Sequence, residues 1–361
     1  MLLGKDAPSR ARKLVRTNDV IFATVRPTHS RVALITEEYN EQICSTGYFV
    51  LRGKDFIYNQ YLFYFLLTDE FNRQMERLQK GASYPAVTDS EVKGIFLHFP
   101  KSLPEQQRIV AILDEAFAAI AKAKANAEQN LKNAKELFDS YLQGVFDPST
   151  RSGQECEGWE EKTLGEICEV KDGTHDSPKY INEGIPFVTQ KNIRQDGLSF
   201  ADTKFITETD HNKFYKRSNV TFGDILISMI GANRGMACIV DDKRVFSIKN
   251  VCLIKESEKI NKHFLLYYLK SPLAMKYVLY MSNGGAQEFV GLTALRRFPI
   301  PFPPLTTQQT IVQKLNALSA KTKKLEDIYQ QHTNDLEELK KSILLKAFNG
   351  ELTTENPEGM K

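Results

Sequence analysis

Leu103–Phe146 constrains this chain more than any other stretch, because the chain writes it a second time at Leu305–Phe348. Leu103-Pro-Glu-Gln106-Gln107-Arg-Ile109-Val110 returns 202 residues later as Leu305-Thr-Thr-Gln308-Gln309-Thr-Ile311-Val312. The offset holds without a gap to Ser140, Leu142 and Phe146, which meet Ser342, Leu344 and Phe348. A fixed offset over so long a stretch marks an internal duplication.

Both copies carry an unbroken helical pattern. Ile109, Leu113, Ala116, Ile120, Ala123, Ala127, Asn130, Ala134, Leu137 and Tyr141 fall at alternating steps of four and three. So do Ile311, Leu315, Leu318, Thr322, Leu325, Tyr329, His332, Leu336, Leu339 and Ile343. This is the a/d seam of a left-handed coiled coil, Ala-rich in one copy and rich in Leu and aromatics in the other. Asn130 and His332 occupy the same seam position, where a polar residue either fixes register or is tolerated near solvent. Each helix would be roughly 60 Å long at 1.5 Å per residue, a strut that holds two things apart.

The 361 residues suffice for two or three domains, and 42% hydrophobic with 26% charged residues is ordinary for a soluble globular chain. A net charge of +3 is too mild to identify a nucleic-acid partner, although residues 1–31 concentrate Lys5, Arg10, Arg12, Lys13, Arg16, Arg26 and Arg31. Five scattered cysteines without a CxxC pair point to reduced thiols in a cytoplasmic protein. No apolar run is long enough for a membrane span.

Taken in order, residues 1–102 predict a mixed α and β domain. Asp19–Val25, Thr46–Arg52 and Ile95–Phe99 read as strands and Asn59–Leu78 as a helix. Residues 103–148 form the first helical spacer, 149–304 a second domain and 305–361 the second spacer with a tail. The second domain retraces the first: Gly223-Asp224-Ile-Leu-Ile-Ser-Met229 matches Asn18-Asp19-Val-Ile-Phe-Ala-Thr24, and Asn261–Tyr268 matches Asn59–Leu66. Aligning Asn18 with Gly223 sets Met1 opposite Ile206, so 47 residues from Trp159 onward have no counterpart. The first domain is therefore expected to lack its opening strands, which would leave a sheet edge or core to be covered.

These motifs resemble the specificity subunit of a type I restriction-modification system. The resemblance rests on the two Gln-Gln helix entries, Trp159-Glu-Glu-Lys-Thr-Leu-Gly-Glu-Ile167, Pro186-Phe-Val-Thr-Gln-Lys-Asn-Ile193, Gly223-Asp-Ile-Leu-Ile-Ser228 and Ser342-Ile-Leu-Leu-Lys-Ala-Phe-Asn-Gly-Glu-Leu352. It implies an α+β chain with two α/β target-recognition domains, each reading half of a split duplex DNA site. The two long helices would form an antiparallel coiled coil that docks two methyltransferase subunits and, through the assembled complex, a motor-nuclease subunit.

Enzyme signatures are missing. There is no Asn/Asp-Pro-Pro-Tyr/Phe methyltransferase motif, no GxxxxGK[ST] phosphate loop and no metal-ligand spacing among six histidines, so no catalytic residue, metal or cofactor is expected. Base contacts would come from loop arginines, amides and lysines. In the second domain the candidates are Lys171, Thr174, His175, Gln190, Lys191, Asn192, Asn233, Arg234 and Gln287. In the first they are Arg10, Arg12, Arg26, Thr28 and Arg31, with His29 beside them. Gly231–Gly235 also reads as a plain hairpin, Gln190–Asn192 as a strand end, and the arginines as a solvated basic face. A second reading of the whole chain is a coiled-coil adaptor or remnant in which only the second domain reads DNA.

Overall fold

Runs of β-branched and aromatic residues form the sheets, and the two copies of the duplicated helix frame them. The computed structural model describes residues 7–150, 158–231, 233–282 and 289–352. The chain forms two compact units, one of 1–131 with 328–361 and one of 132–327.

The first unit begins with β1 (Ala11–Leu14), β2 (Val20–Ala23), β3 (Val32–Leu34), β4 (Ile43–Ser45) and β5 (Tyr48–Leu51). Helices α1 (Asn59–Phe65), α2 (Asp69–Leu78), α3 (Asp89–Lys93) and the first part of α4 (Leu103–Phe146) follow. The antiparallel sheet runs β3-β2-β5, and β1 pairs with β4. Val20 and Phe22 point from β2 into a core with Phe65, Phe71 and Met75, where Phe22 meets Phe71 edge-on at 5.0 Å. Ile21, on the opposite face of β2, is only half-buried.

The second unit holds β6 (Glu160–Thr163), α5 (Leu164–Ile167), β7 (Val170–Asp172), β8 (Ile185–Val188), β9 (Ile193–Arg194), β10 (Gly197–Leu198), β11 (Lys204–Ile206) and α6 (Glu208–Ser218). Next come β12 (Ile225–Ser228), β13 (Ala237–Ile239), β14 (Ser247–Ile248), β15 (Val251–Ile254), α7 (Lys262–Leu269), α8 (Pro272–Tyr280), α9 (Leu292–Arg296), β16 (Pro299–Phe302) and α10 (Leu305–Phe348). Its main sheet runs β13-β12-β15-β7. Every residue of β12 and β15 is buried, Ile225 and Ile227 toward one core and Leu226 toward another. That two-sided burial accounts for their mainly apolar sequences, Ile-Leu-Ile-Ser and Val-Cys-Leu-Ile.

Three sequence expectations change. The strand expected over Thr46–Arg52 is present but shorter, β5 at Tyr48–Leu51, because Thr46 and Gly47 form the turn between β4 and β5. Asn59–Leu78 is two helices, because the Thr68 hydroxyl accepts the Phe71 N–H at 3.1 Å and starts a new helix there. Ile95–Phe99 is not a strand. Its counterpart β16 pairs with β6, and among the described residues the first unit offers no equivalent of β6 for it to join.

The helices α4 and α10 each span 44 residues, and in each unit they pair antiparallel. In the first unit Ile109 and Leu113 pack with Leu344 and Ala347; in the second Leu142 and Phe146 pack in one core with Val312 and Leu315. The seam is not quite the expected one. Leu113, Ile120, Ala127 and Ala134 are inward or buried, as are Leu315 and Thr322, with Leu336 half-buried. The alternate positions shift by one residue. Leu131 and Phe138 turn inward while Asn130 is exposed and Leu137 is 54% exposed. On α10, Glu326, Thr333 and Lys340 are partly buried, whereas Leu325, His332 and Leu339 are exposed. Phe138 packs against the second unit's core, with its ring 6.2 Å from that of Tyr267, and this contact draws it inward in place of Leu137. Asn130 and His332 are thus not seam pins. Lys124 Nζ on Glu337 at 2.5 Å and Lys340 over the Phe117 ring at 5.0 Å are polar contacts between the two helices.

One amide fixes each helix to its domain. Gln106 is fully buried; its Oε1 accepts the Tyr58 N–H at 2.8 Å and its Nε2 donates to Pro100 O at 2.7 Å and Phe56 O at 3.1 Å. Gln308, also fully buried, accepts from Asn261 N–H at 2.8 Å and donates to Pro303 O at 2.8 Å. Replacing Gln106 by Leu strands these backbone groups, so Gln106→Leu should cost about 2–4 kcal/mol in chemical denaturation, against less than ~0.5 for Gln107→Leu at its exposed neighbour.

Candidate nucleic-acid interface

Two hairpins, one in each unit, occupy equivalent places. In the second unit β12 turns into β13 through Gly231–Gly235, with Gly231 and Gly235 at φ 72° and 84°. In the first, β2 turns into β3 through Arg26–Arg31, where Arg26 and Ser30 are both left-handed. A later segment pins each hairpin by a lone antiparallel bridge, Ile230 to Phe289 in one unit and Val25 to Ala86 in the other.

The second hairpin carries Asn233, which is exposed, and Arg234, half-buried, whose Nε donates to Ser282 Oγ at 3.1 Å and Nη1 to Gly231 O at 3.2 Å. Gln190 lies against Gly231: its two terminal atoms are 3.6 and 3.7 Å from where a Cβ would stand. The Gln190 Oε1 is buried without a hydrogen-bond partner among the described residues. A buried, unsatisfied acceptor calls for an explanation, and a ligand or water is the usual one. Lys191 beside it is exposed. Gln287 lies outside the described residues.

Other expected readers are turned to structure. Asn192 is 4% exposed; its Oδ1 accepts from Thr189 N–H at 2.8 Å and its Nδ2 donates to Ser199 O and Thr203 Oγ1. It closes the end of the strand and has no edge left to offer a base. Thr174 is 6% exposed, its N–H donating to Ile248 O at 3.0 Å and its hydroxyl accepting from Asp176 N–H at 3.1 Å. Gly173 before it allows this approach, since a Cβ would stand 2.3 Å from Ile248 O. Lys171 pairs with Glu169 at 3.2 Å. The exposed His175 sits 3.1 Å from Asp172 Oδ2 and 2.7 Å from Asn250 Oδ1. Lys171–His175 thus belongs to a cluster with α6 and the turn at Asn250, whereas Gln190 belongs with the hairpin.

That cluster is built on Asp172, which accepts a two-pronged bond from Arg217 at 2.8 and 2.7 Å. Burial alone would raise its carboxyl, but Arg217 and then His175 hold it below the ordinary range. Arg217 and Asn250 went unnoticed in the sequence, where nothing links them to Asp172.

In the first unit Arg10 and Arg12 are exposed, Arg12 donating to Ser9 O at 2.9 Å. Thr28 is half-buried within a 3-10 turn at Pro27–His29, and exposed Arg31 donates to Val25 O at 2.7 Å. The Arg26 guanidinium stands 5.1 Å over the ring of Tyr84.

Burial pushes the Cys168 and Cys238 thiols up to about 11 and about 12, so neither is a ready thiolate. Among the described residues no group of three or more His, Cys, Asp and Glu could hold a metal, and no helix is long and apolar enough to cross a membrane.

Comparison with known proteins matches residues 8–132 and 156–335 to the type I restriction modification DNA specificity domain. The chain belongs to that family. The MjaIX specificity subunit of Methanocaldococcus jannaschii is 26% identical over 335 residues, covering 88% of this chain and 74% of its own. The StySPI subunit of Salmonella potsdam is 24% identical over 366 residues, covering 95% and 78%. Among solved structures, a chain from work on complex assembly and conformational transition of the type I R-M system superposes with a TM-score of 0.82 at 28% identity, covering 96% of this chain and 85% of that one. The HsdS subunit of Thermoanaerobacter tengcongensis gives 0.61 at 28% identity, covering 97% and 85%. The chain is a type I specificity subunit, whose family task is DNA recognition.

The Asp172 cluster gives a pH prediction. Its folded pKa is lowered, so its stabilisation is complete above the ordinary carboxylate range and is lost as pH falls through the lowered value. Asp172→Ala should cost about 1–3 kcal/mol at pH 7, allowing for a half-exposed Arg217. Urea midpoints of wild type and variant should converge in acid.

Proposed function

We propose that this specificity subunit is a non-catalytic DNA reader in the cytoplasm that binds a bipartite double-stranded site. The carrying observation is the repetition of one pinned hairpin in both units, furnished with Arg26 and Arg31 in one and with Asn233 and Arg234 in the other. Arginine forks match guanine, amides match adenine, and exposed Lys191, Arg10 and Arg12 suit phosphate. On this reading residues 1–102 and 149–304 are the two recognition domains. Residues 103–148 and 305–361 space them and dock two methyltransferase subunits, with the motor-nuclease joining through the assembled complex. The work needs no cofactor and no membrane in this subunit.

A second reading, in which only the second domain reads DNA, is favoured by one observation. On the face of β2 opposite Val20 and Phe22, Ile21 is only half-buried, whereas every residue of β12 and β15 is buried.

The complex with its modification subunits should prefer one bipartite duplex over random DNA by about 10³-fold or more at moderate salt. Arg234→Ala should relax one position of the second half about tenfold, and Arg26→Ala one position of the first. Arg12→Ala should weaken both halves evenly. No preference for any duplex would sink the proposal; a change confined to Arg234→Ala would leave the second domain as the sole reader.

The docking part has its own test. Leu325 and Leu339 are 38% and 47% exposed on α10. Leu325→Lys with Leu339→Lys should leave the thermal transition in place but abolish co-purification with the methyltransferase. Unchanged co-purification would move the docking surface elsewhere.

A further inference from the structure

Arg26 adopts φ 51° and ψ 60°, at the hairpin position where the second unit has Gly231 at φ 72°. A Cβ is disfavoured in this conformation, and glycine is the usual occupant. The backbone bond made there does not require arginine: the Arg26 N–H donates to Pro85 O at 2.7 Å, as any residue but proline would. What arginine adds is its guanidinium. That group donates no hydrogen bond to the described residues; its partner is the face of Tyr84, 5.1 Å away.

Tyr84 is as unusual. It is 71% exposed, so its ring fills no core. Its loop is nevertheless tied down. Lys80 and Ala86 exchange two backbone bonds of 2.9 Å, Ala86 bridges Val25, and Gly81 turns at φ 106° close to Tyr84 O. An aromatic ring on a fixed loop, facing a strained arginine on a fixed hairpin, is a pre-built pair rather than two loose surface side chains.

We propose that Tyr84 is a positioning residue that holds the Arg26 guanidinium flat, with its fork free, to read one guanine in the first half-site. The inference rests on the reading that the first unit contacts duplex DNA. Stacking leaves the N–H edge of the guanidinium unoccupied, and that edge matches guanine O6 and N7. It also fixes the plane of the fork in advance, which lowers the entropy lost on contact. The left-handed strain at Arg26 is the cost of placing a fork where glycine would fold more easily.

The test uses the full chain in complex with its modification subunits and a duplex library randomised in both half-sites, with methylation as the readout. Arg26→Gly should keep or raise the thermal midpoint, since it relieves the backbone, yet reduce discrimination at one first-half base pair by about tenfold or more. Arg26→Lys should lose the same discrimination, because an ammonium has no fork. Tyr84→Ala should relax that same base pair, and Tyr84→Phe, which keeps the ring face, should retain it. The second-half preference should stay unchanged in all four. A wild type without base preference in either half overturns the DNA-reading proposal and this one with it. A wild type that reads only the second half overturns this inference alone, as does a two-half reader whose preferences survive both Arg26→Gly and Tyr84→Ala. Relaxation of different base pairs by the two substitutions also overturns it, since the pair would not act as a unit.

Discussion

The buried amides of Gln106 and Gln308 are the constraint on which each half of the structure depends. A helix start leaves backbone donors and acceptors unpaired, and so does the chain that leads into it. In both copies one glutamine spans the gap, accepting an N–H at the start of α1 or α7 and donating to the carbonyl of a proline just before the long helix. The helix direction is thereby set relative to its own domain by hydrogen bonds that no water can replace at zero exposure. A second repeated bolt works with it. Asp19 is gripped by Arg52 at 2.7 and 2.5 Å, and Asp224 by Lys255 at 2.6 Å, each tying the start of the central strand to the residue that follows its neighbour.

With those fixtures common to both units, their differences lie in what covers the sheet. In the second unit β7 pairs along β15, β6 pairs along β16, and a further layer from β8, β11 and β14 closes the far side. Among the described residues of the first unit β5 pairs with β2 alone, and Ile95–Phe99 runs without a ladder, leaving Phe96 81% exposed. The same apolar signal therefore yields a strand in one copy and irregular chain in the other. A strand is a property of a pair of segments, so β16 depends on β6, a partner far away in sequence.

The hairpins show the same division of labour between scaffold and variation. Their place is held by bridges to Phe289 and Ala86, while their residues differ, glycine with Asn233 and Arg234 in one, arginine with Ser30 and Arg31 in the other. Rigid positions with changeable side chains suit a surface that must select one partner sequence over others. Several polar residues of the neighbouring loops, Asn192 and Thr174 among them, instead hold the loops in shape.

The duplication, the two long helices and the position of both hairpins were legible in the sequence, because they follow from periodicity and self-similarity along one dimension. Gln106 and Gln308 were visible as a motif, but their task was not, since it consists of bonds to residues almost fifty positions earlier. Likewise the seam could be narrowed to adjacent pairs such as Asn130 and Leu131, or Leu137 and Phe138. Only packing against the other helix decided which member turned inward. Tertiary structure alone brought Tyr84 over Arg26, Gln190 to Gly231, and Arg217 to Asp172. Each of those pairs is an encounter across space between distant segments, and local propensity carries no record of it.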